Sequence, residues 1–331
     1  MYVITIDTGT TNTRVKVWKQ DKVVATSFEE VGVRDTAITG SKEKLQTGVK
    51  TAIQKALDMA EINKDDVSLF LASGMITSNV GLYEVPHAPA PAGIKELALG
   101  MVKAVIPEVI EKPIWFVPGI KNNVQDVNME NFESMDIMRG EETEAFGIIQ
   151  CLNVKGPALI VLPGSHSKFI MLNEENQITA CITSLAGELL SVITKSTILS
   201  SAVGSSFSKS LNEQMLLKGA QCAQKVGLNR ACFSVRILDQ FTQCSTNDKA
   251  NFLEGIIFGT DLLALKNSGA FKVIPEIPVI IGGSEALKRS FEILIRNDSY
   301  FKGEIKVVDA EYMKDMAGFG AILAAKERNL I

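Results

Sequence analysis

A short apolar run at residues 2–6 opens directly into Asp7-Thr8-Gly9-Thr10-Thr11-Asn12-Thr13-Arg14, and this junction constrains the fold more than any other stretch. Val3, Ile4 and Ile6 give the run the content of a buried strand. Residues 14–18 then alternate, so a second strand resumes at once and the polar segment is the turn of a β-hairpin. Gly9 lets the main chain approach a ligand closely, while Thr10, Thr11 and Asn12 offer hydroxyl, amide and main-chain donors to phosphate oxygens. Asp7, at the strand end, suits a hard cation such as Mg²⁺ or its bound waters. No GxxxxGK[ST] occurs, so the turn is not a Walker loop.

A DxGTTNxR hairpin one strand from the start resembles the first phosphate motif of the sugar kinase, hsp70 and actin superfamily. Beyond it, the hydrophobic pattern predicts a third strand at 22–28, a helix at 43–60, a strand at 67–72, a helix at 94–105, a strand at 114–117 and a helix from 140 to 151. Three short strands follow at 158–162, 169–172 and 178–183, then helices over most of 187–266. The chain closes with a strand at 279–281, a helix at 285–295, a strand at 305–308 and a helix at 312–328. Without its helical insertion around 211–266, the second half repeats the βββαβαβα order of the first. The expected fold is therefore α/β, a duplicated ribonuclease-H-like (actin-like) pair with a nucleotide cleft between the copies. The first copy is set at residues 1–138, with the first phosphate turn and the substrate site. The second is set at 139–331, with the second phosphate turn and an adenosine site, and its last helix is free to pack back on the first.

Duplication requires a second phosphate turn between the first two strands of the second half. The sequence has Leu162-Pro163-Gly164-Ser165-His166-Ser167-Lys168 there. Gly164 permits close approach, Ser165 and Ser167 carry hydroxyls, and Lys168 adds a cation able to reach phosphate. His166 is a candidate donor to phosphate. It cannot form a triad with its flanking serines, because adjacent strand residues point to opposite faces. Gly282 and Gly283, ending a strand before a helix, would let a flat adenine lie against the main chain.

Asp136-Ile137-Met138-Arg139-Gly140-Glu141-Glu142-Thr143 is a charge cluster opening a helix between the halves. Phosphoryl transfer needs an aligned acceptor, a group to take its proton and cations on the developing charge. Glu142 is the first candidate for that base, with Glu141 and Asp136 as rivals. Arg139 could grip a carboxylate bidentately. Ser73, Gly74 and Met75 follow a buried strand, where α/β sheets place ligands. Pro91, Ala92 and Gly93 belong to a stiff Pro89-Ala90-Pro91-Ala92-Gly93 loop that reads as a wall or lid of the substrate side.

The 331 residues suit two domains, and a composition 46 % hydrophobic and 22 % charged is ordinary for a globular protein. A net charge of −4, from 34 basic and 38 acidic residues, gives no pointer to nucleic acid. Five cysteines without CxxC spacing argue against a disulfide framework and a zinc site. No charged-then-apolar leader and no run near the ~18 apolar residues of a membrane span is present. A reducing cytoplasm is the expected compartment, with no membrane partner.

Taken in order, DTGTTNTR, ASGM, PAPAG, VPG, MRGEET and LPGSHSK resemble the 2-dehydro-3-deoxygalactonokinase family of sugar-acid kinases, over residues 3 to about 200. Thr8 stands where family members often have Trp. The resemblance implies Mg²⁺-dependent transfer of the ATP γ-phosphate to the 6-hydroxyl of 2-dehydro-3-deoxy-D-galactonate, in galactonate breakdown. Arg14 or Arg139 would meet the substrate carboxylate. A kinase for another sugar acid, such as the gluconate epimer, and an actin-like filament protein stay open as alternatives, as does assembly as a homodimer.

Overall fold

The computed structural model describes residues 1–283 and 285–331. In the first half, strands β1 (Tyr2–Thr8), β2 (Thr13–Lys19) and β3 (Lys22–Glu29) form an antiparallel meander, followed by helices α1 (Val33–Thr39) and α2 (Glu43–Met59) and strand β4 (Val67–Gly74). Then come β5 (Ala88–Pro89), α3 (Ile94–Gly100), β6 (Val102–Ile106), β7 (Ile110–Phe116), β8 (Ile120–Lys121), β9 (Ile137–Met138) and α4 (Glu141–Cys151). The main sheet has the order β3-β2-β1-β4-β7-β6, with β1, β4 and β7 parallel.

The second half repeats the plan. Strands β10 (Ala158–Leu162), β11 (Ser167–Leu172) and β12 (Ile178–Ser184) make the meander, and helices α5 (Ala186–Ser196), α6 (Ser200–Val203), α7 (Glu213–Val226), α8 (Leu228–Phe241) and α9 (Thr246–Asn267) follow. The chain ends with β13 (Val279–Ile281), α10 (Glu285–Asn297), β14 (Ile305–Val307), α11 (Ala310–Met313) and α12 (Met316–Glu327). Its sheet runs β12-β11-β10-β13-β14, so strands 3-2-1-4-5 of each copy fall in the same spatial order, the duplicated ribonuclease-H-like architecture.

One sequence expectation fails within the first copy. Residues 94–105 do not form a single helix: α3 ends at Gly100, and β6 then pairs antiparallel with β7 along the sheet edge. Glycine weakens the helix, and the β-branched Val102, Val105 and Ile106 favour the extended partner that β7 offers.

Strand parity decides what reaches the space between the sheets. Ile4 and Ile6 pack with Val15, Val17 and the α2 residues Leu45, Val49, Ala52 and Ile53 on one face. Val3 and Trp18, on the other face, join a core with α4, α12 and the second sheet's Ala158, Ile160 and Leu162. Asp7 has the parity of Val3 and Thr5, and its cross-strand partner Arg14 that of Lys16 and Trp18, so these polar groups face the second copy. Helices α4 and α12 cross between the sheets at close range. A methyl group on Gly320 would lie 1.8 Å from the Thr143 carbonyl oxygen, and one on Gly147 2.4 Å from that of Met316. Lys16 ties the crossing to β2, donating to the Lys314 carbonyl and pairing with the Asp315 carboxylate.

Candidate active site

The cleft between the copies contains a cavity of about 540 Å³, within the roughly 300–1,000 Å³ of small-molecule sites. Arg14 comes from β2, Glu141 and Glu144 from the first turn of α4, residues 162–166 from the second hairpin, Gly283 and Glu285 from the start of α10, and Ala310, Met313 and Lys314 from α11 and its end. An adjoining hollow of about 90 Å³ adds Thr5, Asp7 and Lys16.

The first turn is built as the sequence implies. Gly9 donates to the Asn12 carbonyl at 2.9 Å, closing the loop, and Thr8 and Thr13 hydroxyls meet at 3.1 Å beneath it. Thr10, Thr11, Asn12 and Arg14 are exposed, and residues 9–12 do not line the cavity. Asp7 lies 3.8 Å from the Arg14 guanidinium. The enclosing walls raise the Asp7 carboxyl, Arg14 opposes, and the Glu141 charge raises it further.

Three carboxylates thus share one electrostatic neighbourhood. Glu141 and Glu144, three residues apart, lie on one face of α4. Burial, reinforced by Glu141 and Asp7, lifts Glu144 to about 8. Such crowding of acids is the environment a divalent cation relieves. Among the described residues no three such groups converge with ready metal-ligand geometry.

Glu142 lies elsewhere. One residue on from Glu141 it is turned about 100° around the helix axis, is fully buried, and its Oε2 and Oε1 accept from the Gly140 N–H at 2.7 and 2.9 Å. Burial first, then the Glu141 charge, lift its carboxyl to about 8. The preference for Glu142 over Glu141 as the group facing an acceptor is not supported by this geometry. Asp136 is also committed: its carboxylate accepts from the Thr183 N–H at 2.5 Å and the Thr183 hydroxyl at 2.9 Å.

The second turn divides along its length. Gly164, Ser165 and His166 line the cavity, with His166 Nε2 2.9 Å from Glu188 Oε2. Ser167 and Lys168 do not. Ser167 is buried on the face turned to α9. Lys168, 6 % exposed, donates to the Ile137 carbonyl at 2.7 Å and the Thr183 hydroxyl at 2.5 Å, so its cation is spent holding β9 to the second sheet. Of the glycine pair, Gly283 lines the cavity, while Gly282 packs on Leu162 and Ile148.

On the substrate side, Ser73 is buried, and Gly74 lies against Asp7 and Thr8 with φ 84°. Met75 starts the short turn that leads to Thr77. Arg139 spans this region, donating to the Thr77 hydroxyl at 2.8 Å and the Val85 carbonyl at 2.7 Å, with His87 Nδ1 at 3.3 Å. Burial and the surrounding cations lower His87 to about 4, so the ring is neutral at physiological pH. Pro91, Ala92 and Gly93 are not at the cleft. Ala92 exchanges two main-chain hydrogen bonds with Ile178, at 2.9 and 2.8 Å, and Gly93 caps α3 through Glu96. Ile178 begins β12, whose other end meets the phosphate turn, about 20 Å along the strand.

Sequence reasoning missed Glu144, Lys16 and Lys314. The spacing of Glu144 from Glu141 was a usable signal. Lys16 shares the parity of Arg14 on β2, a second usable signal, whereas Lys314 meets the site only through contacts between opposite ends of the chain.

A family model described as 2-keto-3-deoxy-galactonokinase matches residues 7–313. Among solved structures, a Sinorhizobium meliloti protein provisionally identified as a 2-dehydro-3-deoxygalactonokinase is similar at a TM-score of 0.76 and 24 % identity, over 98 % of each chain. The component A of (R)-2-hydroxyglutaryl-CoA dehydratase from Acidaminococcus fermentans is similar at 0.51 and 13 %, over 99 % of each. The activator of 2-hydroxyisocaproyl-CoA dehydratase from Clostridium difficile, solved with ADPNP bound, is similar at 0.51 and 13 %, over 99 % of this chain and 96 % of the other. These three likenesses are likenesses of fold. None of the curated proteins matches the sequence.

Proposed function

Because the chain belongs to the 2-keto-3-deoxy-galactonokinase family, and so is a sugar-kinase phosphotransferase, we propose that it phosphorylates the 6-hydroxyl of 2-dehydro-3-deoxy-D-galactonate from ATP. The observation that carries this reading is the pairing, across one cavity, of Glu141 at the start of α4 with the turn at 163–166 and the cation Arg14.

ATP lies in the cleft with its phosphates between Arg14, Lys314 and the second turn, and its adenosine toward Gly283. The exposed donors of Thr10, Thr11 and Asn12 close on the phosphates as the domains approach. Asp7 and Glu144 would hold Mg²⁺, and the ion would supply charge neutralisation on the phosphoryl oxygens.

Glu141 takes the proton of the sugar 6-hydroxyl as its oxygen forms a bond to the γ-phosphorus. The bond from that phosphorus to the β,γ-bridging oxygen breaks, and ADP leaves with the electron pair. Glu141 suits the role better than Glu142 because its side chain lines the cavity. Arg139 is the proposed partner of the substrate carboxylate: three of its five N–H donors are used, and it lies beside Thr77, close to Gly74. Arg14, opposite Glu141, is better placed for phosphate.

The test is ADP release from Mg-ATP with 2-dehydro-3-deoxygalactonate, its gluconate epimer, galactonate or no acceptor. Release with the first alone is expected. Release of equal rate without any acceptor would overturn the reading.

A further inference from the structure

Behind the second phosphate turn, on the sheet face turned away from the cleft, two serines and a carboxylic acid meet. Ser167 opens β11 and Ser184 closes β12, and the register makes them cross-strand partners. Ser167 shares its face with Phe169 and Met171, which pack into the core of the helical insertion. Its hydroxyl is sealed from solvent and lacks a formed hydrogen bond among the described residues. Asp261 of α9, 6 % exposed, faces this pair from the other side. The Ser184 and Ser167 hydroxyls are the groups that act on its carboxyl, yet its Oδ2 is also without a formed bond. Burial lifts the acid to about 7, so near neutral pH its protonated form has a donor to offer the hydroxyls and its ionised form only acceptors.

These strand ends carry the turn. Ser184 Oγ accepts from the N–H of Ala186, the first residue of α5, at 3.3 Å. Gly187 follows, and a methyl group there would lie 2.3 Å from the Gly164 carbonyl oxygen. The Glu188 N–H then donates to the Ser165 carbonyl at 3.0 Å. Gly187 and Glu188 therefore brace the turn, and the Ser184 hydroxyl that anchors the start of their helix faces Asp261.

We propose that Asp261 is a positioning residue for the nucleotide: it ties the Ser167–Ser184 pair to α9 and so fixes where residues 164–166 present their donors. The helical insertion thereby acquires a task, as the backstop of the phosphate turn. The proposal rests on reading that turn as part of the ATP site.

The test measures Mg-ADP affinity calorimetrically, without acceptor, for the full chain and for Asp261→Leu, Asp261→Asn and Ser184→Ala, beside kcat and both KM values. Asp261→Leu and Ser184→Ala should weaken Mg-ADP and raise the KM for ATP about tenfold, the scale of one buried hydrogen bond lost. The KM for the sugar acid and kcat should stay within about twofold. Asp261→Asn, whose amide offers both a donor and an acceptor to the hydroxyls, should bind nucleotide like the unmodified chain. Unchanged nucleotide affinity in Ser184→Ala and in whichever Asp261→Leu protein folds would overturn the proposal, as would equal losses for both substrates. An unmodified chain that binds no Mg-ADP would instead bring down the nucleotide site itself.

Discussion

The main chains of Gly74 and Gly140 meet across the cleft: a methyl group on Gly140 would lie 3.1 Å from the Gly74 Cα. Gly140 holds a φ of 108°, a conformation L side chains rarely adopt, and it caps α4 immediately before Glu141. Gly140→Ala should cost about 1–3 kcal/mol of stability, read from denaturant unfolding. It should also lower kcat at least about tenfold, because Glu141 moves with the helix start.

Replacing the adjacent glutamates by glutamine should separate their roles. Glu141→Gln is expected to lower kcat by about 10²–10⁴ with Mg-ADP affinity nearly intact. Glu142 is already largely protonated at neutral pH, and a glutamine carbonyl can still accept from Gly140. Glu142→Gln should therefore keep kcat within about threefold. Single-turnover kinetics with both variants would show whether the order is reversed.

Stability should fall as pH rises. Glu142 and Glu144 titrate near 8 in the folded chain and near 4.5 when unfolded, so the folded state binds more protons between those values. Their contribution is full below about pH 4.5 and is lost as pH climbs through 8. Thermal midpoints of the nucleotide-free protein from pH 5 to 8.5 should decline, and Glu144→Gln should flatten the decline.

Chelation should abolish phosphoryl transfer, and Mg²⁺ should restore it. Asp7→Asn should raise the Mg²⁺ concentration for half-maximal activity by about tenfold, since one of the two carboxylates proposed to hold the ion is lost. Titrating Mg²⁺ at saturating ATP reads the shift directly.

Arg139→Lys keeps the charge but loses the planar fork that joins Thr77, Val85 and His87. The KM for the sugar acid should rise about tenfold while the KM for ATP stays unchanged. An acceptor lacking the carboxylate should be insensitive to the substitution.

Local chemistry made much of this legible in the sequence. The hairpin at Asp7 and Arg14 announces itself through alternation on both sides of a glycine and threonine turn, and the repeat of element order gives the duplicated fold. The misreadings arise where tertiary contacts overrule local pattern. Lys168 looks like a phosphate cation in sequence and shares the parity of His166, yet its ammonium is taken up by the Ile137 carbonyl and the Thr183 hydroxyl. Glu142 and Glu141 are indistinguishable in composition, and only the rotation of α4 against the cleft separates them. Ala92 looks like a lid residue because proline and glycine mark a loop; its bond partner Ile178 lies 86 positions on, and no local rule pairs them.

That pair has a mechanical meaning. Two reciprocal main-chain bonds pin the first copy to the second sheet at the start of β12, and the phosphate turn sits at the other end of the same meander. Asn122 exchanges two further hydrogen bonds with Cys181, and Asp136 accepts from Thr183 beside the turn, so the same strand is stitched to the first copy along its length and the turn is held rather than swung. Fastened at both ends, β12 is a seam rather than a hinge.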